Sequence, residues 1–280
     1  MVYRWERARA RLDPGIVLYL MIDLSTLPLL KGKKALVTGI ANDQSIAWGC
    51  AKAFRAFGAD LAITYLNDKA KPHVEPLAKE VGVEIFMPLN LQVEGQLEAV
   101  FDAIKQKWGK LDIALHSIAF APKEDLQGRV VDCSKAGFLT AMEISCWSFI
   151  RMAKLAEPLM TDGGTLSTMT YYGSQMVVEH YNMMGPVKAA LESATRYLAA
   201  ELGPKGIRVH AISPGPLKTR AASGLTDFDE LIAKAQAKAP AHRLVSIDDV
   251  GVAVAFLAMD GAKLITGETF FIDGGYHIID

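Results

Sequence analysis

The sequence predicts an α/β fold in which helices cover both faces of one mainly parallel sheet. Strand-like apolar runs alternate with amphipathic helical patterns along the whole chain. The chain has 280 residues, of which 51% are hydrophobic, enough to bury one large core. No repeat, linker or low-complexity run divides it. These observations indicate a single doubly wound, Rossmann-type domain over residues 31–280.

The composition argues against several classes of partner. A formal net charge of -1 gives no field that would attract nucleic acid or an anionic membrane. No apolar run reaches the ~20 residues that span a bilayer. Cys50, Cys133 and Cys146 lack the spacing of metal ligands, so we expect buried thiols and no metal site. Unpaired cysteines favour a reducing compartment, and we expect a cytoplasmic protein.

Residues 1–30 differ from the rest of the chain. Several arginines precede a short apolar run, Ile16–Ile22, which superficially looks like a signal peptide. However, Asp13-Pro14 interrupts the pattern, and no small-residue cleavage site follows. We therefore interpret this segment as a poorly ordered or adventitious extension, and Met21 could be the native start.

The first strand and helix form a candidate phosphate-binding turn. Lys34–Gly39 is a strand-like run that ends in glycine, and a helical pattern follows Ser45 and Ile46. Backbone N–H groups at such a turn attract a pyrophosphate, and Gly49 would let the helix approach the sheet closely. The middle glycine of G-x-G-x-x-G is missing, so an ordinary strand–helix turn remains an alternative.

The residues that follow the second and third strands are candidates for binding the adenosine end of a dinucleotide. Ala59–Tyr65 precedes Leu66, Asn67 and Asp68, with no arginine to receive a 2′-phosphate, so NADH is favoured over NADPH. The acidic residue expected to hold the ribose is also missing unless Asp68 reaches back. Val83–Leu91 is the third strand, and Asn90 at its end could meet the adenine.

The remaining elements continue the alternation of strands and helices. Pro186 must lie in the first turn of its helix or bend it, because proline lacks the N–H that an α-helix requires. In chain order, the pattern predicts a helix over 97–108, a strand at 111–120, a helix over 135–159, a strand before Tyr171, a helix ending near Leu202, a strand at 206–213, helices over 220–239 and 247–258, and a last strand within 266–275.

Tyr171, Tyr181 and Lys188 are the candidate catalytic residues. Tyr181 and Lys188 are seven positions apart, about two helical turns, so both side chains can share one helix face. A lysine ammonium stabilises a phenolate and lowers the tyrosine pKa from about 10, which suits a general acid. The alternative is a core tyrosine beside a surface lysine, and only a dinucleotide site upstream gives the pair a catalytic meaning.

Five groups of motifs occur in an order that is typical of one family. They are Val37-Thr-Gly39 with Ser45-Ile-Ala47, His116-Ser-Ile118 with Ala121-Pro122, Tyr171-x9-Tyr181-x6-Lys188, Ala211-Ile-Ser-x-Gly-Pro216 with Thr219-x-Ala-Ala-Ser-Gly224, and Asp273-Gly-Gly275. With these motifs the chain resembles the bacterial NADH-dependent enoyl-[acyl-carrier-protein] reductases, a divergent branch of the short-chain dehydrogenase/reductases. The resemblance covers roughly residues 31–280.

The resemblance implies an activity of fatty acid biosynthesis, with hydride passing from NADH to the β-carbon of a trans-2-enoyl thioester. It implies that Tyr181 hydrogen-bonds the enolate oxygen and that Lys188 holds the nicotinamide ribose. Tyr171 would line the acyl pocket, while Ala121 and Met184 would border the substrate. A homotetramer is also implied. The implied cofactor contacts are Gly39, Ser45, Ile46, Leu66, Asn90, Leu91, Ile118, Lys188, Leu217, Lys218, Thr219, Arg220 and Ala221.

Several positions depart from the family pattern. Leu66 and Asn90 stand where other side chains commonly contact the adenosine, Ala119 replaces a glycine, and Pro186 is unusual between the tyrosine and the lysine. Residues 225–231 are acidic, and acyl carrier protein is itself acidic, so like charges would slow its docking. The substrate could therefore be a CoA ester.

Two other functions stay open from the sequence. One is a related short-chain dehydrogenase/reductase that acts on a carbonyl or on another activated C=C bond, since the Tyr–Lys chemistry is nearly the same. The other is a dinucleotide-binding module without catalysis. The sequence does not select the acyl chain length or choose between carrier protein and CoA.

Overall fold

Seven parallel strands form the single sheet of the domain, in the order β3-β2-β1-β4-β5-β6-β7. The computed structural model describes residues 29–217 and 228–279, with the side chains of 228–231 left undescribed. The predicted Rossmann-type fold is therefore confirmed. The strands are β1 Lys34–Thr38, β2 Asp60–Tyr65, β3 Ile85–Pro88, β4 Ile113–His116, β5 Gly164–Met169, β6 Ile207–Pro214 and β7 Thr269–Ile272.

The helices connect these strands on both faces of the sheet. A π-helical segment, Glu143–Trp147, interrupts the helix predicted over 135–159, and hydrophobic periodicity gives no signal for it. The helices are α1 Ile46–Ala56, α2 Lys71–Glu80, α3 Gln96–Trp108, α4 Lys123–Leu126, α5 Lys135–Met142, α6 Ser148–Ala156, α7 Met184–Leu202, α8 Phe228–Lys238 and α9 Ile247–Ala258.

Two apolar cores lie on opposite faces of the sheet, as the alternation along β1 illustrates. Val37 packs with α1 and α9, whereas Leu36 packs with α3, α6 and α7. Successive side chains of a strand point to opposite faces, so a strand buried on both faces is apolar throughout. This explains why β1 appears in the sequence as a continuous apolar run.

Gly49 serves a contact other than the one predicted. A Cβ at Gly49 would collide with the carbonyl of Ile247, and one at Gly251 would collide with the carbonyl of Gly49. The close approach is therefore between α1 and α9, and the predicted contact of Gly49 with the sheet is wrong. Only the tertiary packing of α9 could reveal this, because Gly251 lies about 200 positions along the chain.

The predicted extension over residues 1–30 lies almost wholly outside the described residues. Leu30, at its end, is fully buried and its N–H donates to the Phe57 carbonyl. Within residues 29–217 and 228–279, no helix is long and apolar enough to cross a membrane. All three cysteines are free thiols, and Cys50 and Cys146 are buried.

Candidate functional site

Most of the predicted site residues that the structure describes follow the carboxyl ends of the strands, and β1 lies between β2 and β4. Doubly wound sheets bind ligands in the crevice at such a switch point. Gly39 follows β1 with a φ of 92°, and a Cβ there would collide with the carbonyl of Ser117, which follows β4. The two loops therefore meet backbone to backbone, and Ile118 lies beside this contact.

The turn before α1 is closed by a single hydroxyl. Ser45 Oγ accepts from the N–H of Ala41 at 3.0 Å and of Asn42 at 3.1 Å, and it donates to Asn42 Oδ1 at 3.3 Å. The Ser45 side chain is thus used to shape the turn. The first N–H groups of a helix have no partner within it, so the backbone at Ile46 and Ala47 offers an anion site.

The residues predicted for the adenosine end lie after β2 and β3. The Leu66 side chain is 53% exposed and has no polar atom for a ribose. Asn90 Oδ1 accepts from the Gln92 N–H at 3.1 Å, which leaves its amide nitrogen available to a ligand. Leu91 packs partly buried against the core.

His116 at the end of β4 is a buried, fully partnered histidine. Its Nε2 lies 2.8 Å from Ser148 Oγ, and its Nδ1 lies 3.0 Å from Thr168 Oγ1. Because Ser148 donates its own proton to the Ile144 carbonyl, Nε2 carries the hydrogen and Nδ1 accepts from Thr168. Burial lowers the His116 pKa to about 3, so this ring stays neutral and braces the π-helical segment.

The two predicted tyrosines are in direct contact. The ring centroids of Tyr171 and Tyr181 lie 5.0 Å apart at an interplanar angle of 68°. Tyr181 lies in the turn before α7, so the predicted helix face shared with Lys188 is wrong. His180 and Asn182 have φ values of 63° and 46°, which an α-helix does not allow, and the helix begins only at Met184. Pro186 lies in its first turn, as predicted.

Lys188 points from α7 into the protein interior. Its side chain is buried, and Nζ donates to the carbonyl of Met169, the last residue of β5, at 2.8 Å. Burial lowers the Lys188 pKa to about 8, while the nearby Cys146 and Glu192 raise it. The group therefore changes charge near neutral pH, unlike an ordinary lysine.

Both tyrosines are neutral hydrogen-bond donors in the free protein. Burial raises the pKa of Tyr181, and Tyr171 and Glu192 raise it further. The expected lowering of this pKa by Lys188 is therefore wrong for the free protein. Burial also raises the pKa of Tyr171, whose hydroxyl is buried without a partner among the described residues.

The predicted substrate residues are brought together. Ala121, Met184 and Tyr181 pack in one apolar cluster with Val187. A separate cavity of about 410 Å³ lies on another side of Tyr181, between residues 173–178 and the start of α7. Ala121 and Met184 do not line this cavity.

The loop predicted to cover the cofactor is only partly described. Leu217 packs partly buried against the core. Lys218, Thr219, Arg220 and Ala221 lie outside the described residues, as do residues 225–227 of the acidic segment.

Glu192 is a residue that the sequence analysis missed. Its carboxylate is buried on α7 and accepts from Thr170, Ser174 and Gln175. The only signal in the sequence is the spacing of four from Lys188, which places both side chains on one face of the helix.

Comparisons with known proteins agree on one family. The family model described as enoyl-(acyl carrier protein) reductase matches residues 39–277. Enoyl-[acyl-carrier-protein] reductase [NADH] 1 of Rhizobium meliloti (strain 1021) is 45% identical over 251 residues, covering 90% of this chain and 92% of the relative. The NADH enoyl-[acyl-carrier-protein] reductase of Nostoc sp. is 46% identical over 253 residues, covering 89% of this chain and 98% of that relative.

A solved structure extends the agreement to three dimensions. The enoyl-(acyl-carrier-protein) reductase of Anaplasma phagocytophilum, crystallised in complex with NAD, superposes with a TM-score of 0.87 and 46% identity. The match covers 91% of this chain and 97% of that one.

Proposed function

Because the chain belongs to the enoyl-(acyl-carrier-protein) reductase family, we propose that it reduces trans-2-enoyl thioesters with NADH during fatty acid biosynthesis. Relatives of about the same length carry this activity in their names, and one was crystallised with NAD. The family, the oxidoreductase activity and the nicotinamide cofactor predicted from the sequence are confirmed.

The observation that supports this function is the contact between the rings of Tyr171 and Tyr181 beside the end of β5, where Lys188 binds the Met169 carbonyl. A bound NADH would supply a hydride to the β-carbon, which places negative charge on the thioester oxygen. A neutral phenol that donates a hydrogen bond stabilises such an oxygen. Tyr181 fits this role because burial keeps its hydroxyl protonated. The Tyr171 hydroxyl is buried and has no hydrogen-bond partner among the described residues, so it is also free to donate to a ligand.

Lys188 is suited to binding the sugar next to the reacting ring. An ammonium has three donors, and Met169 is its one hydrogen-bond acceptor in the part of the chain that the structure describes. The remaining two donors are available to a ribose hydroxyl, and the nearby positive charge favours electron density moving toward the thioester oxygen.

The other cofactor contacts follow from the edge of the sheet. We place the pyrophosphate over Gly39 and the N–H groups that follow Ser45, the adenosine near Leu66, Asn90 and Leu91, and the nicotinamide near Ile118. Leu217 and the residues 218–221 are assigned to the cofactor only by the family resemblance.

The substrate is proposed to be a thioester of acyl carrier protein, as the names of the relatives indicate. The acidic residues 225–231 favour the alternative of a CoA thioester, because an acidic carrier protein would meet like charge there. A direct comparison of the two thioesters decides between them.

Association into a homotetramer is supported by exposed apolar side chains along the helices that flank the site. Leu139 and Trp147, in the neighbouring helical segments 135–142 and 143–147, are 55% and 54% exposed. Large apolar side chains that share a surface are typical of subunit interfaces. We propose a cytoplasmic location on the basis of the three free cysteines.

The function is tested by following NADH oxidation with enoyl thioesters of carrier protein and of CoA. Replacing Tyr181→Phe removes one hydrogen-bond donor, so we expect kcat/KM to fall by about 10²-fold, with NADH affinity unchanged. Tyr197→Phe is the matched control, since Tyr197 is exposed on α7 and should leave kinetics unaltered. Reduction of ketones without turnover of any enoyl thioester would contradict the proposal.

A further inference from the structure

Glu192 is a buried carboxylate with three side-chain donors. Thr170 Oγ1 donates to its Oε1 at 2.7 Å, Ser174 Oγ donates to the same oxygen at 2.5 Å, and Gln175 Nε2 donates to Oε2 at 3.3 Å. The residue is only 5% exposed. Burying a carboxylate costs several kcal/mol unless hydrogen bonds compensate, so these three bonds must form together for the turn to be stable.

The three donors lie on both sides of Tyr171 in the chain. One precedes it directly, and the other two follow at positions 174 and 175. The hydroxyl of Tyr171 makes no hydrogen bond of its own within the described residues. Its position is therefore set by the backbone of this turn and by the ring of Tyr181, and Glu192 accepts hydrogen bonds from residues on both sides of it.

A second contact from α7 reaches the same segment. Lys188, one helical turn before Glu192, holds the carboxyl end of β5 through the Met169 carbonyl. The two side chains thus attach the segment 169–175 to α7 at two points. Tyr181 lies in the turn just before α7. The geometry between the two tyrosine rings therefore depends on how the segment 169–175 is attached to this helix.

We propose that Glu192 is a positioning residue for the reduction: through Thr170, Ser174 and Gln175 it holds Tyr171 against Tyr181 at the acyl pocket. The inference rests on the proposed function, because it assigns Glu192 a part in that same reaction. Glu192 itself touches neither tyrosine hydroxyl by a hydrogen bond, so it acts through the turn.

The effect of the Glu192 charge on the pH–rate profile gives a second test of the proposal. The groups that face Lys188 are Cys146 on the π-helical segment, His116 on β4 and Glu192 on its own helix. Glu192 favours the ammonium form, which opposes the effect of burial. Loss of this charge should therefore move the alkaline limb of the pH–rate profile to lower pH.

Two variants of Glu192 separate geometry from charge. Glu192→Leu removes every acceptor, and a misplacement of about 1 Å typically costs about 10²-fold in rate, so we expect kcat/KM for the enoyl thioester to fall by about that factor. Glu192→Gln keeps acceptor capacity but loses the charge, so we expect a fall of about tenfold together with the shifted alkaline limb. NADH affinity, measured by fluorescence at about pH 6, well below the Lys188 pKa of about 8, should stay within about twofold of wild type because neither variant replaces a proposed cofactor contact.

Thr195→Val is the matched control. It deletes one buried hydroxyl from the same helix, whose bond runs to the Leu191 carbonyl and not to the Tyr171 turn. We expect it to lower the melting temperature with unchanged kinetics. Ser174→Ala removes one donor from the turn and remains informative if Glu192→Leu does not fold; we expect its KM for the thioester to rise.

The inference is overturned if the Gln and Ala variants melt at lower temperature but keep wild-type kcat/KM and pH profile. A wild-type protein that reduces no enoyl thioester would instead defeat the proposed function. In that case a crystal structure of Glu192→Gln decides the positional claim, since an unchanged separation of the two tyrosine rings would refute it.

Discussion

Two buried cations of this domain differ in how many carbonyls they bind. Arg208 on β6 and Lys188 on α7 are 7% and 4% exposed. Arg208 donates to the carbonyls of Leu257, Ala258 and Met259 and so closes the carboxyl end of α9. Lys188 donates to a single carbonyl, that of Met169, in the part of the chain that the structure describes.

The difference separates a cation whose hydrogen bonds are directed to the fold from one that we propose takes part in the reaction. Arg208 lies at the negative end of a helix dipole and binds three carbonyls that have no partner within the helix. A guanidinium also stays charged when it is buried. The Lys188 ammonium uses one of its three donors within the described residues, so two remain available to a sugar. Burial lowers its pKa to about 8, so it can also change its charge near neutral pH.

Lys188→Met is expected to have the largest effect on activity. The substitution removes the ammonium that we assign to the ribose and to charge stabilisation, so kcat/KM should fall by about 10³-fold. Stability should change little, because relief from burying a charge offsets the lost bond to Met169. Steady-state kinetics and denaturant unfolding check the two parts. A variant that is folded and fully active would remove Lys188 from the mechanism.

Arg208→Met should lower stability and leave activity unchanged, the reverse of Lys188→Met. Loss of three hydrogen bonds and of the charge at the helix end should lower the free energy of unfolding by about 3 kcal/mol. Activity per folded molecule should be unchanged, since Arg208 lies far from the carboxyl edge of β6. Urea unfolding monitored by circular dichroism measures the loss, and Arg208→Lys should recover part of it. A large fall in kcat with unchanged stability would break the contrast with Lys188.

The pH dependence of the free energy of unfolding is the smallest expected effect, and it tests the Lys188 pKa directly. Below about pH 8 the Lys188 ammonium exists in the folded and unfolded chains alike, and the cost of burying it is fully present. Between about 8 and 10.5 the unfolded chain retains a proton that the folded chain has lost, so this group makes stability rise with pH. The slope approaches about 1.4 kcal/mol per pH unit.

Activity should instead fall as the pH rises above about 8, because the ammonium form of Lys188 is the one that we propose binds the sugar. Unfolding of wild type and of Lys188→Met at several pH values isolates the contribution of this lysine as the difference between them. If that difference is flat above pH 8, the lysine titrates at its ordinary value and the argument for a lowered pKa is wrong.

Local patterns predicted most of the scaffold. The predicted helix 247–258 matches α9, and the predicted end near Leu202 matches that of α7. Strand positions were also correct, since strands buried on both faces are continuous apolar runs between turn residues. The motifs placed Gly39, Ser45, Asn90 and Ile118 after successive strands, and the structure gathers them at one edge.

Other features depend on residues that are distant in the sequence. The start of α7 was placed too early because the positive φ values at His180 and Asn182 have no composition signal. The contact of Gly49 with α9 and the hydrogen bonds to Glu192 could not be predicted either, because their partners are distant in the sequence. The pKa of Tyr181 was predicted in the wrong direction, because burial outweighs a neighbouring charge and burial is a property of the folded chain.

The sequence by itself determined the strand–helix alternation, the family and the choice of candidate catalytic side chains, because apolar periodicity and motif spacing are local properties of the chain. Tertiary structure alone decided the protonation states of Tyr181 and Lys188, the partners of Glu192 and the assignment of Arg208 to stability. Those properties arise from exclusion of water and from contacts across the sheet, and neither exists until the chain has folded.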